Sequence, residues 1–380
     1  MTLGLIKSDR RDGEGPLRAI GLMSGTSMDG IDVALIETDG AHEVVRGPAL
    51  TYPYSAEMRN SLRKGLHDGA AIQERHLRPG RLALLEQYLT DLHIEVVGQF
   101  LDDIRMKRSS IDVIGFHGQT VLHRPADGLS VQIGDGSRLA RETGIDVVYD
   151  LRGADIAAGG MGAPLVPIYH KVLARFLALP VVIVNVGGVA NVTFIGKVMQ
   201  EGMMAFDTGP GNALIDDWML AKGGQRWDKN GTSAAGGKVN EQVLTELLAN
   251  PYFTKRPPKA LDRSAFDMNL LSGLSLEDGA ATLTSFTART IGRARRYLPE
   301  EPQQWIICGG GRRNKTLMMM LASCVENAVL PAEAVGLGGD SIEAEAWAYL
   351  AVRSLKGLPI TFPDTTGVPR PLTGGVLARA

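Results

Sequence analysis

The sequence predicts an α/β protein of two lobes with a cleft between them, and three observations carry that reading. The 380 residues exceed what one hydrophobic core usually serves, so two domains of roughly 150 to 200 residues are the better expectation. A strand, a glycine-bearing turn and a second strand open the chain at 17–37, and the same pattern returns at 180–195. Between and after these hairpins, short apolar strands alternate with helix-period stretches, as in largely parallel sheets covered on both faces.

From Leu17 the alternation Leu-Arg-Ala-Ile-Gly-Leu-Met reads as a strand. The polar turn Ser24-Gly25-Thr26-Ser27-Met28-Asp29-Gly30 ends it, with Asp-Gly favouring a tight reversal into a second strand at 31–37. Apolar residues at helical spacing follow at 56–66 and 77–100, then short apolar strands at 113–116, 131–133 and 147–149. The second hairpin turns at Gly187-Gly188, and helices are expected near 211–221, 280–297, 316–327 and 341–356, with a strand at 305–308. The stretch 225–263, rich in Gly, Asn, Lys and Pro, reads either as an excursion near the cleft or as a long surface loop. Residues 1–16 read as a loose tail, 17–147 as the N-terminal lobe and 148–361 as the C-terminal lobe, with 362–380 a candidate to rejoin the first.

Composition narrows the function classes. Hydrophobic residues at 44% and charged residues at 22% suit a packed soluble chain. Forty basic against 42 acidic side chains leave a formal charge of -2, so no nucleic acid or membrane partner is expected. The most apolar run, 176–184, contains Pro180 and falls far short of the roughly 20 residues that cross a bilayer. The N-terminus turns polar too soon for a signal peptide, and Cys308 and Cys324 form neither a CxxC pair nor a disulfide framework. A reducing compartment, the cytoplasm, is the expected location. Glycine is in surplus at 46 residues, about 12% against a usual 7% or so, and without a G-X-Y period the excess must sit in turns.

Those turns point to a nucleotide. No GxxxxGK[ST] or GxGxxG occurs: Gly309 is followed by Asn314-Lys315-Thr316, and Gly209-Pro210-Gly211 and Gly309-Gly310-Gly311 lack the third glycine. HExxH is absent, and His117 and His123 lack zinc-ligand spacing. The turn from Ser24 to Asp32, however, has more small and polar residues than a hairpin needs. Converging N–H groups there suit phosphate oxygens, and a neighbouring Asp suits Mg²⁺ held through water. Gly187-Gly188, Asp207-Thr208-Gly209-Pro210-Gly211 and Gly309-Gly310-Gly311-Arg312 repeat the device after strands, each offering N–H groups or a helix N-terminus to an anion.

GLMSGTSMDGIDVAL, GFHGQTVLHRP, DLRGADIAAGGMGAPLVP, NVGGVANVT, AFDTGPGNALID, GGGRRN and GLGGDSIEAEAWAYLA resemble, in order and spacing, the successive motifs of the anhydro-N-acetylmuramic acid kinases. The resemblance runs from near Ile20 to the end of the chain. It implies a two-lobed actin/hexokinase/Hsp70-like (ribonuclease H-like) fold, with ATP and Mg²⁺ as cofactors. It also implies hydrolytic opening of 1,6-anhydro-N-acetylmuramic acid from peptidoglycan turnover, with formation of N-acetylmuramic acid 6-phosphate.

By the same resemblance, Gly25, Thr26, Ser27, Met28, Asp29, Gly30, Ile31 and Asp32 hold phosphates, while Gly187, Gly188, Asp207, Gly209, Gly211, Gly310 and Gly311 surround the nucleotide. Asp29 faces the metal and Asp207 the metal or the ribose, the latter with a helix N-cap as its bland alternative. Asp155 matches the family's base and touches substrate, with Asp150 as the alternative base or a tie for Arg152. His117, Gln119 and His123 are either sugar contacts or core hydrogen bonders. Met161 stands where relatives are expected to carry a polar residue. Glu343 and Glu345 read as first-turn charge on a helix capped by Ser341, and Trp218, Trp227, Trp305 and Trp347 as core. The expected partners are a small sugar and ATP, with a homodimer left open. The competing readings are a kinase of an ordinary hexose or amino sugar, and a nucleotide-switched chaperone or filament subunit.

Overall fold

The computed structural model describes residues 15–25, 27–198, 202–261 and 266–380. Nearly all of the expected tail and the candidate Thr26 lie outside the described residues.

Two sheets form. The first contains β1 (Leu17–Ser24), β2 (Gly30–Thr38), β3 (Val44–Pro53), β4 (Val113–Arg124), β5 (Leu129–Ile133) and β6 (Val147–Tyr149). The second contains β7 (Val181–Val186), β8 (Val189–Ile195), β9 (Met203–Pro210), β10 (Gln304–Cys308) and β11 (Ala328–Pro331), and β12 (Val376–Ala378) returns to the first by pairing with β6. Spatial order is β3-β2-β1-β4-β6-β12 in one sheet and β9-β8-β7-β10-β11 in the other. Each begins with antiparallel pairings, β1 to β2 to β3 and β7 to β8 to β9. Each then continues in parallel from its first strand, through β4 and β6 or through β10 and β11. The same order with the same directions, twice, is the duplicated ribonuclease H-like architecture of the actin/hexokinase/Hsp70-like fold. Sequence explains the central strands: Val181 to Val184 form a β-branched run, wholly buried because helices cover both faces.

The helices are α1 (Ala56–Gly69), α2 (Leu82–Asp103), α3 (Gly136–Thr143), α4 (Gly153–Ala157), α5 (Pro167–Leu173), α6 (Ala213–Gly223), α7 (Thr232–Gly236), α8 (Glu241–Leu248), α9 (Leu276–Gly292), α10 (Lys315–Val325), α11 (Ile342–Leu355) and α12 (Pro363–Thr366). Helix α2 starts at Leu82 rather than 77, because Pro79 and Gly80, the latter at φ +61°, hold the chain in a turn first. Asn314, at the end of the GGGRRN motif, caps α10 by accepting from the Leu317 N–H at 2.9 Å. Ser341 does not cap α11: its hydroxyl donates to Glu345 at 2.8 Å instead.

Helix α11 decides how the lobes meet. It lies within the stretch expected for the C-terminal lobe, yet it packs on β1, β2 and β4 of the first sheet. Gly21 and Gly115 are the reason: a Cβ on either would overlap the α11 backbone at Ala344 or Trp347. Its small and apolar residues then seal one core that runs from Ala19 and Val113 to Ile183 and Ile306. The described part of the stretch 225–263, up to Leu261, is no bare surface loop. Helices α7 and α8 fold onto α9 around Leu244, Leu247 and Phe286, and Trp218 is buried among them. Trp305 and Trp347 are buried as expected, whereas Trp227 is 51% exposed.

Candidate active site

A cleft of about 1290 Å³ opens between the sheets. The turn joining β1 to β2 contributes Gly25, Ser27, Met28, Asp29, Gly30 and Asp32 to one wall, and Gly187, Gly188, Asp207, Gly309 and Gly310 stand on the other. Arg152, Glu343 and Trp347 also line it. The structure therefore brings three of the four glycine turns, and the leading aspartate of the remaining one, into one space.

The first turn is braced from behind. Gln119 is buried and donates from Nε2 to the Gly25 carbonyl at 3.2 Å, while its Oε1 accepts from the Ser24 hydroxyl at 2.6 Å. The Ser24 hydroxyl also bonds the Tyr54 hydroxyl at 2.8 Å, and the Tyr54 N–H donates to the Asp29 carbonyl at 2.9 Å. Met28 sits at φ +54° and lines the cleft. Gln119 thus holds the turn's shape and is not itself part of the cleft lining; Ile31 likewise belongs to the core.

The candidate glycines divide into two kinds. A Cβ on Gly25, Gly187 or Gly310 would meet nothing closer than 3.6 Å, so the protein's own packing does not demand glycine there. What a side chain would obstruct at those three positions is the cleft. By contrast, a Cβ on Gly209 would strike Thr290, one on Gly211 the Gly187 carbonyl, and one on Gly311 Val186. Gly209, Gly211 and Gly311 are fixed by packing behind the wall, and the structure does not bring them to the cleft surface. Gly30 serves both: it lines the cleft, and a Cβ on it would overlap Tyr52 of β3.

Carboxylates set the electrostatics. Asp32 accepts from the Thr51 hydroxyl at 2.5 Å, and burial, helped by the charges of Asp340 and Asp29, raises its pKa. Burial pushes Glu343 up to about 6, the Asp32 charge adding to the rise while Arg152 and the Asn185 amide, 3.2 Å away, oppose it. Glu343 is thus a cleft residue and not merely helix charge, whereas Glu345 is structural, bound by Arg46 at 2.9 Å and the Tyr169 hydroxyl at 2.7 Å. Asp207 is pushed to about 6 by burial, partly offset by a 2.9 Å bond from the Leu261 N–H and by the charges of Arg152 and Lys259. It does not cap α6; it faces the cleft from β9.

Asp29 lies at the mouth, ion-paired with Arg226 at 3.0 Å across the two lobes. Among the described residues no group of three or more His, Cys, Asp or Glu is close enough to hold a metal ion directly. Asp29 and Asp207, the residues expected to face the metal, both line the cleft. The repulsion of Asp32 by Asp340, and of Glu343 by Asp32, suits a cation held through water and phosphate oxygens.

Asp155 in α4 is buried, 2% exposed, just behind the wall that Arg152 and Ala163 form. Its Oδ1 accepts from the Gly162 N–H and its Oδ2 from the Thr366 hydroxyl, both at 2.6 Å. Gly160 must be glycine, since a Cβ there would overlap that carboxylate. Asp150, the alternative base, is ion-paired with Arg75, and neither aspartate is among the residues that line the cleft.

Sequence reasoning gave no cleft role to Arg152 or His170, and it read Trp227, which lines the cleft, as core. Arg152 donates to the Gly162 carbonyl at 2.6 Å, reaches His117 Nε2 at 3.1 Å and lies 5.3 Å above the Trp347 ring, and burial lowers its pKa to about 10. His117 stacks on Trp347 with ring centres 4.5 Å apart; burial and the Arg152 charge keep it neutral, so it supports the wall rather than lining it. His170 lines the cleft, bonds the Thr193 hydroxyl at 2.8 Å and is lowered to about 3 by burial. The place of Arg152 inside DLRGAD was a usable signal. His170, three residues past the end of the longer motif, gave none.

Residues 17–380 match the family model described as anhydro-N-acetylmuramic acid kinase. A protein of that name from Methylobacterium nodulans is 52% identical over 375 residues, covering 96% of this chain and all of the relative. One from Azorhizobium caulinodans is 53% identical over 370 residues, covering 95% of this chain and 99% of its own, and one from Rhodospirillum rubrum is 51% identical over 369, covering 97% and 96%.

Proposed function

This chain belongs to the anhydro-N-acetylmuramic acid kinase family, and from that premise we propose that it uses ATP and water to convert 1,6-anhydro-N-acetylmuramic acid into N-acetylmuramic acid 6-phosphate during peptidoglycan recycling. The observation that carries the reading is the convergence of three glycines free of internal packing, Gly25, Gly187 and Gly310, on one cleft that also holds Glu343 and Asp32.

Phosphoryl transfer asks the protein mainly for positioning and charge compensation. The braced turn at Gly25 to Asp32 offers its N–H groups to the donor phosphates, and Gly187 and Gly188 close on them from the other lobe. Mg²⁺, when bound, neutralises phosphate charge, and Asp32 and Glu343 are the carboxylates that would hold it through water. Gly310, beside Asn212, leaves room for the nucleoside.

The acceptor then lies toward Arg152, Trp347 and His170. Asp155 takes a proton from the water that attacks the anomeric carbon; the C1–O6 bond breaks, O6 attacks the γ-phosphorus, and ADP leaves. Such a base contributes about 10²- to 10⁴-fold. We read the reaction as cytoplasmic, where ATP is supplied.

With ATP, Mg²⁺ and the anhydro sugar in ¹⁸O-water, the product should be the 6-phosphate carrying one solvent oxygen at C1. Absence of turnover sinks the proposal, and phosphorylation of an ordinary hexose without solvent incorporation replaces it with a simpler sugar kinase.

A further inference from the structure

The C-terminal segment reaches the proposed base from 211 positions away. Thr366, fully buried at the end of α12, donates its hydroxyl to Asp155 Oδ2 at 2.6 Å. Its other acceptor, the Phe362 carbonyl, lies at 3.5 Å, so the proton is directed to the carboxylate. The Thr366 carbonyl meanwhile accepts from the Met161 N–H at 2.8 Å, and the next residue, Gly162, donates its N–H to Asp155 Oδ1. Thr366, Asp155 and the Met161-Gly162 backbone therefore close a ring of three hydrogen bonds. Arg152 ties the same turn from its other side through the Gly162 carbonyl.

We propose that Thr366 is a positioning residue for Asp155: its hydroxyl fixes the carboxylate plane, and its carbonyl holds the glycine turn that covers the carboxylate. This rests on Asp155 being the base of the reaction proposed above. Both oxygens of Asp155 keep a lone pair free after these bonds, so the ring orients the group without exhausting its capacity to accept a proton. The ring also gives Met161 a role that needs no polar side chain, because its contribution is the backbone N–H. Nothing local in the sequence joins these residues; β12, pairing with β6, anchors the segment that carries Thr366.

The test compares Thr366→Val and Thr366→Ser, alone and with Asp155→Asn, in steady-state turnover of the anhydro sugar, with thermal melting alongside. Thr366→Val, nearly isosteric, should lower kcat about tenfold or more while the sugar and ATP KM stay within about twofold, since a misaimed base costs transition-state and not ground-state binding. Thr366→Ser, which keeps the hydroxyl, should recover most of that loss. In the Asp155→Asn background Thr366→Val should cost nothing further, because residues acting as a unit are non-additive. Unchanged kcat in Thr366→Val, no recovery by Ser, or a full additional loss beside Asp155→Asn would each overturn the positioning role while leaving the kinase reading intact. A wild-type protein that does not turn over the anhydro sugar overturns both.

Discussion

At the scale of single residues, cleft carboxylates carry charge that burial resists, and this has a stability signature. The pKa of Glu343 is raised to about 6 from its ordinary 4.5, so the folded state binds its proton more tightly than the unfolded chain does. The sign follows: ionised Glu343 destabilises the fold above about pH 6 and is without cost below about pH 4.5, a difference of roughly 2 kcal/mol. Glu343→Gln should therefore raise Tm at pH 7, with the gain fading as pH falls toward 4.5, while turnover collapses; a melting series across pH checks it. The two aspartates near α4 separate by kinetics. Asp155→Asn should lower kcat by about 10²- to 10⁴-fold, whereas Asp150→Asn, which breaks only the ion pair with Arg75, should stay within about threefold in a steady-state assay. The roles of Asp207 and Glu343 differed in legibility: Asp207 stood in a glycine-rich motif, but a Glu in a helix first turn is ordinary helix chemistry, and only the side of α11 on which it lies made it a cleft residue.

At the scale of elements, two glycines make opposite predictions. Gly115 lets α11 lie against β4, and a methyl there would push against the Trp347 carbonyl. Gly115→Ala should cost about 1–3 kcal/mol or more, read as a lowered Tm. An added Cβ on Gly25 would meet nothing closer than 3.8 Å. Gly25→Ala should therefore leave Tm unchanged and instead raise the ATP KM, by roughly tenfold for each 1.4 kcal/mol by which phosphate binding weakens. Both residues are simply glycine in the sequence. The strands and helices with strong periodicity were legible, as at 147–149 and 341–356. Helices α7 and α8 were not, because a polar, glycine-rich stretch has weak local preference and folds by resting on α9.

At the scale of the whole molecule, the lobes are joined permanently through the α11 core and only lightly at the cleft mouth. Arg226 and Asp29 bridge that mouth with side chains 48% and 61% exposed, so the pair contributes under about 1 kcal/mol. Arg226→Ala should leave Tm unchanged, and its effect on turnover should shrink as salt is raised. Closure of the lobes on both substrates should reduce the radius of gyration in solution scattering with nucleotide and sugar together.

The sequence by itself determined the two like halves, the turn chemistry between their strands and the family, because each is written in residues near one another along the chain. Tertiary structure alone decided which glycines face the ligand and which face a neighbouring strand, that α11 crosses to the first sheet, and that Thr366 meets Asp155. Those outcomes depend on distant segments sharing one desolvated space, where backbone approach and buried charge are settled by what lies opposite rather than by what lies adjacent.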